Sequence, residues 1–128
     1  MDAERFTETA LQSVASAQQI ARTRQHQQVT ATHLAVALLA DADGPPARLV
    51  QRAGGDVGQA KAALDAALGR LPKVSGADGQ YMAPEMARVF ERAEKLAAEF
   101  KDQFVAADAL LVAVREGGGD AVRALPDG

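Results

Sequence analysis

The chain has 128 residues, a hydrophobic fraction of 48%, an aromatic fraction of only 4% and a net charge of −3. That length supports one core, and an acidic balance with no local basic run argues against a nucleic-acid binder. Without cysteine, a membrane-length apolar run or a signal-peptide layout, the sequence reads as a cytoplasmic protein free of disulfides.

Alanine dominates while β-branched and aromatic residues are few, which favours packed helices over sheet. The first periodic segment covers about residues 8–22, with Ala10, Leu11, Val14, Ala17, Ile20 and Ala21 on one stripe and Thr7 placed to cap it. Arg22 and Arg24 fall near its end, where cations complement the helix dipole. After a polar break at 25–28, a second helix opens near Thr30 and turns Leu34, Ala37, Leu38 and Leu39 inward until about 41–44. Pro45 and Pro46 suit the first turn of a short third helix, and Gly54-Gly55 stops it. Asp56 caps a fourth, over about 57–70, whose stripe includes Leu64, Leu68 and Leu71, and Pro72 ends it. The glycine-containing stretch that follows has no periodicity and reads as a linker. A fifth helix spans about 84–101 with Met86, Val89, Phe90, Ala93, Leu96, Ala97 and Phe100 on its stripe. A sixth covers about 106–116, Gly117-Gly118-Gly119 breaks it, and a short seventh is expected at 120–125.

Adding 76 to a residue number in the first half lands on a similar residue in the second. Val29 meets Val105, Leu34 meets Leu110, Ala17 meets Ala93, Ala21 meets Ala97, and Thr7 meets Ala83, the residue before Pro84. One register held across two helices and the break between them is the signature of an internal repeat. The expected layout is one domain of 1–128: repeat one at about 1–72, a linker at about 73–81 and repeat two at about 82–128. Gly128 is the counterpart of Arg52, so the second repeat lacks an equivalent of the fourth helix. A chain cut at that point would leave apolar surface uncovered.

Reactive constellations are missing. The glycine-rich stretches lack the lysine and hydroxyl of a phosphate-binding loop. His26 and His33 stand seven apart with a helix break between them, a poor metal-ligand spacing. Ser13, Ser16 and Ser75 have no strand-to-helix elbow to expose a nucleophile, and the carboxylates are scattered as on solvated faces. The chain is expected not to be an enzyme and to hold no cofactor or metal of its own.

Arg5-Phe6-Thr7 before a long helix and Val29-Thr30-Ala31-Thr32-His33-Leu34 opening the next resemble the Clp N-terminal repeat. The block from Leu68 to Gly76, the run Phe90-Glu91-Arg92-Ala93-Glu94-Lys95-Leu96 and Asp102-Gln103-Phe104-Val105 are similar to its ClpB-like branch. The resemblance implies an all-α fold of two pseudo-two-fold related four-helix units, the second lacking its last helix. It implies the substrate-recognition domain of an ATP-dependent disaggregase chaperone of the stress response, weakly binding exposed apolar segments of unfolded or aggregated proteins. The alternative within the family is docking of an adaptor protein. ATP, Mg and hexamer formation would belong to ATPase modules outside this chain, Hsp70-type chaperones would cooperate with the full protein, and the isolated domain would be a monomer. Thr7, Asp102 and Asp108 align with family positions implicated in client handling, although Asp108 stands where Glu is more usual. The resemblance also implies a shallow apolar groove, with Tyr81, Met82, Phe90, Phe104 and Ala109 as candidates. Among these, Phe90 falls on a core stripe, and Tyr81 and Met82 are the expected exposed pair. Met is adaptable and suits promiscuous apolar recognition.

Overall fold

The computed structural model describes residues 3–74, 80–117 and 125. It consists of helices packed around one alanine-rich core, with six α-helices among the described residues. The first, α1, is Glu8–Thr23; α2 is Ala31–Leu38; α3 is Pro45–Arg52; and α4 is Val57–Gly69. The second half contributes α5 over Pro84–Glu99 and α6 over Ala107–Gly117. The expected helix at 120–125 lies outside the described residues except for Leu125, which is buried.

The helix starts follow from the caps. Thr7 accepts the Ala10 N–H on its Oγ1, and Asp56 accepts the Gln59 N–H in the same way ahead of α4. Thr30 caps α2 through a box in which the third helical residue is His33: Oγ1 accepts the His33 N–H, and the Thr30 N–H donates to the His33 ring. Pro45 and Pro84 open α3 and α5, whose N-cap residues Gly44 and Ala83 have no side-chain acceptor to offer. Leu71, expected on the stripe of α4, falls beyond the end of that helix and is half-buried.

The two halves repeat in detail. Helices α1 and α5 start and end 76 residues apart, and α2 and α6 start 76 apart. Each long helix ends on a residue in the left-handed region, Gln25 at φ 62° and Lys101 at φ 58°, again with the same spacing. The wrapping hydrogen bonds match as well: His26 N–H donates to Ala21 O and Asp102 N–H to Ala97 O, both at 2.8 Å.

The units exchange backbone pairs across their junctions. Gln28–Val29 (β1) runs parallel to Tyr81–Met82 (β2), with Val29 opposite Met82, while Phe6 bridges Val105. Met82 is the counterpart of Phe6 and Val105 that of Val29, so each unit offers the other the same two segments, as a two-fold axis requires. Tyr81, at the end of the expected linker, and Met82, at the start of repeat two, are therefore strand, and residues 75–79 of the linker lie outside the described residues. Leu34 and Leu110, counterparts on α2 and α6, are both fully buried in the common core.

Candidate functional site

The turn after α5 builds one side of a trough. Left-handed Lys101 reverses the chain and leaves Asp102 exposed, and α6 then opens with Asp108 exposed in its first turn. The Asp108 carboxylate accepts the Ala109 N–H at 2.9 Å. Between these elements lies a cavity of about 210 Å³ lined by Leu96, Ala97, Ala109 and Val112, closed on the far side by Leu49 of α3. Phe100, Asp102 and Asp108 stand at the same cavity. A second cavity of about 220 Å³ shares Leu49 and Val112 and has Leu111 of α6 and Leu125 in its lining. Asp108 also shares a smaller hollow with Arg48 and Arg52 of α3.

Phe100 is the residue that the sequence reading placed wrongly. Its spacing puts it on the inward stripe of α5, but it is the C-cap residue and is 73% exposed, because the chain leaves the helix axis there. The repeat carried the signal: its counterpart is Arg24, a surface residue type. Leu49 lies inside the short α3, and nothing in its spacing points to the other unit.

The trough has a closed twin in the first unit. Arg24, His26, Thr32 and His33 occupy the positions of Phe100, Asp102, Asp108 and Ala109. There His26 is 4%, Thr32 6% and His33 0% exposed. Helix α4 lies beside this copy: its Asp65 pairs with Arg24 at 2.9 Å, a contact beyond the dipole role expected of that arginine. Burial holds both imidazoles below the ordinary histidine range, His33 at about 4, with the charge of Arg24 adding to the effect on each.

The expected site residues divide among four places. Asp102, Asp108 and Ala109 meet at the trough. Thr7 and Phe104 lie at the Phe6–Val105 bridge, where the Thr7 N–H donates to Val105 O at 2.9 Å and Phe104 is about half exposed. Tyr81 and Met82 form β2 at the opposite junction; of this expected exposed pair only Tyr81 is exposed, its hydroxyl accepting from Gln28 Nε2 at 3.0 Å, while Met82 is half-buried because it packs against the core. Phe90 is withdrawn from solvent: it packs edge-on against Phe6 at 6.0 Å in the core, because the inward stripe of α5 carries it there. What the trough offers is apolar surface with charge at its edge, which is an arrangement for binding. No group of three or more metal-ligating side chains occurs among the described residues, and none of the described helices is long and apolar enough to cross a membrane.

Residues 5–127 match the model of the Clp repeat (R) N-terminal domain. The chain belongs to that family. It is a Clp N-terminal domain, not the ATPase part of a Clp protein. Among its relatives, the chaperone protein ClpB of Meiothermus ruber is 48% identical over 119 residues, covering 92% of this chain and 14% of the relative. ClpB of Mesorhizobium japonicum is 41% identical over 115 residues, covering 89% and 13%. The Clp N-terminal domain thus spans about one-seventh of the length of these chaperones. The N-terminal domain of Hsp104 from Candida albicans has the same fold, with a TM-score of 0.82 at 22% identity over 93% of this chain and 78% of that one. A ClpV N-domain solved in complex with a VipB peptide superposes with a TM-score of 0.72 at 20% identity, over 88% and 69%.

Proposed function

We propose that the trough between α3, α5 and α6 takes up exposed apolar segments of unfolded or aggregated polypeptides. In this reading the chain is the substrate-recognition domain of an ATP-dependent, cytoplasmic disaggregase. The observation that carries the reading is Phe100, 73% exposed beside a trough lined with Leu49, Leu96 and Val112. A large aromatic ring left in water gains by burial against a partner, roughly 1.5–3 kcal/mol if the burial is complete. Asp102 and Asp108 stand beside it and supply the polar rim, while Thr7, Phe104, Tyr81 and Met82 extend contacts along the two junctions. Similarity to ClpB chaperones supports a role in polypeptide handling. ATP hydrolysis, hexamer formation and cooperation with Hsp70-type chaperones would then lie in the remainder of a longer protein.

Affinity should be weak, since a shallow trough gives little area beyond the cost of association. The ClpV N-domain bound to a VipB peptide favours a second reading, docking of a defined partner peptide or adaptor on the same fold. Fluorescence anisotropy with a labelled, permanently unfolded apolar polypeptide separates the two. Client binding predicts micromolar-to-millimolar affinity for several unrelated sequences, with Phe100→Ser raising Kd about five- to thirtyfold at unchanged stability. Indifference to Phe100→Ser, or no binding to any unfolded chain, would overturn the reading.

A further inference from the structure

His26 and His33 are seven residues apart on either side of a helix break, yet their rings meet, with Nδ1 of His26 2.8 Å from Nε2 of His33. The direction of this hydrogen bond is fixed by the helix cap. The Thr30 N–H donates to Nδ1 of His33 at 2.9 Å, so that nitrogen carries a lone pair and the His33 proton sits on Nε2. Nε2 therefore donates to Nδ1 of His26, whose own proton is on Nε2. A further proton on Nδ1 of His26 sets two N–H donors against each other in a buried site, whereas Nδ1 of His33 also has the Thr30 hydroxyl oxygen at 2.8 Å to receive one.

The loop around His26 holds both ends of the connection between α4 and α5. Val74 N–H donates to Gln25 O at 2.8 Å, and Tyr81 N–H donates to Gln27 O at 3.1 Å. Gln80 Nε2 reaches the His26 carbonyl itself at 2.7 Å. A hollow lined by His26, Thr30, Leu71, Val74 and Tyr81 adjoins the ring and gives it somewhere to move.

We propose that the two histidines form an acid-sensitive latch: proton uptake breaks their hydrogen bond and weakens the backbone bonds that hold Val74 and Tyr81. The neighbouring charges act in the same direction. Arg24 at the end of α1 and Lys73 after α4 both oppose a positive His26. Asp65 of α4 is engaged by Arg24, and Glu85 of α5 is directed at the Ala31 N–H at 3.4 Å. The β1 and β2 segments contribute neutral Gln27, Gln28, Gln80 and Tyr81. Both rings sit below the ordinary histidine range, so the open form binds protons more readily. Its population rises as pH falls below about 6.5, by about tenfold per pH unit for each proton taken up.

The second unit supplies an internal control. The Thr7 N–H to Val105 O bond is the counterpart of Ala83 N–H to Val29 O, both 2.9 Å, but Asp102 and Ala109 replace the histidines there. The test is amide hydrogen exchange by NMR on the whole chain between pH 7 and 5, with protection corrected for intrinsic exchange. The latch predicts that protection at Val74 and Tyr81 falls at least tenfold relative to Thr7. It also predicts that His26→Asn, which keeps an acceptor for Nε2 of His33, diminishes the difference. Equal behaviour of Val74, Tyr81 and Thr7, or a His26→Asn protein with undiminished pH dependence, would overturn it. Imidazole ¹⁵N shifts of the unaltered protein give an independent reading: a proton on Nδ1 of His33 at pH 7 contradicts the mechanism.

Discussion

Two residues illustrate how far local chemistry determines this protein. Thr7 as a cap is legible in the sequence, because a hydroxyl before a periodic apolar run has one obvious use, and the bond to Ala10 is present. Thr7→Ala should cost about 1 kcal/mol in chemical denaturation. His33 in a cap is harder to read, since Glu or Gln is the usual partner in that box, and its contact with His26 is a tertiary event that no spacing rule anticipates. Its consequence for stability has a definite sign. Folded His33 titrates at about 4 while the unfolded chain binds the proton near 6.5, so stability is complete above that value and is lost as pH falls toward 4. At pH 5 the loss should be about 2 kcal/mol relative to pH 7, measurable as a lower urea midpoint. A stability unchanged between those values would contradict the burial of a neutral ring.

At the scale of elements, the helices were legible because amphipathic stripes, caps and proline placements all agreed. The exceptions lie where an element ends. Strands of two residues leave no alternation to read, so Tyr81–Met82 shows in the sequence only as the boundary between linker and second repeat. Phe100 kept the helical spacing of its neighbours, yet the turn that ends α5 carried it outward. That turn and its twin hold Gln25 and Lys101 in the left-handed region, where a side chain strains the backbone and glycine does not. Gln25→Gly and Lys101→Gly should each stabilise the domain by roughly 0.5–1 kcal/mol, read from thermal or urea unfolding. A loss of stability in either variant would mean that its side chain contributes more than its backbone costs.

For the whole molecule, duplication explains both the core and the site. The repeat was readable from a shared register, and the reciprocal pairing of Val29 with Met82 and Phe6 with Val105 gives it a physical form. Leu34 and Leu110 sit at matching points of one core, so truncating either to alanine should cost about 2–5 kcal/mol. What sequence could not supply was the difference between the copies. The first unit buries the positions of His26, Thr32 and His33, whereas the second exposes Asp102, Asp108 and Phe100 beside an apolar trough. Only the relative placement of α3 and α6 brings Leu49 of the first unit to that surface. The most direct measurement of client recognition is an NMR titration of the labelled domain with an unfolded apolar polypeptide. Shifts concentrated at Leu49, Leu96, Phe100, Ala109 and Val112, with little change around Arg24 and Thr32 in the closed twin, are the predicted result. Perturbations spread evenly over both units, or none at millimolar polypeptide, would contradict it.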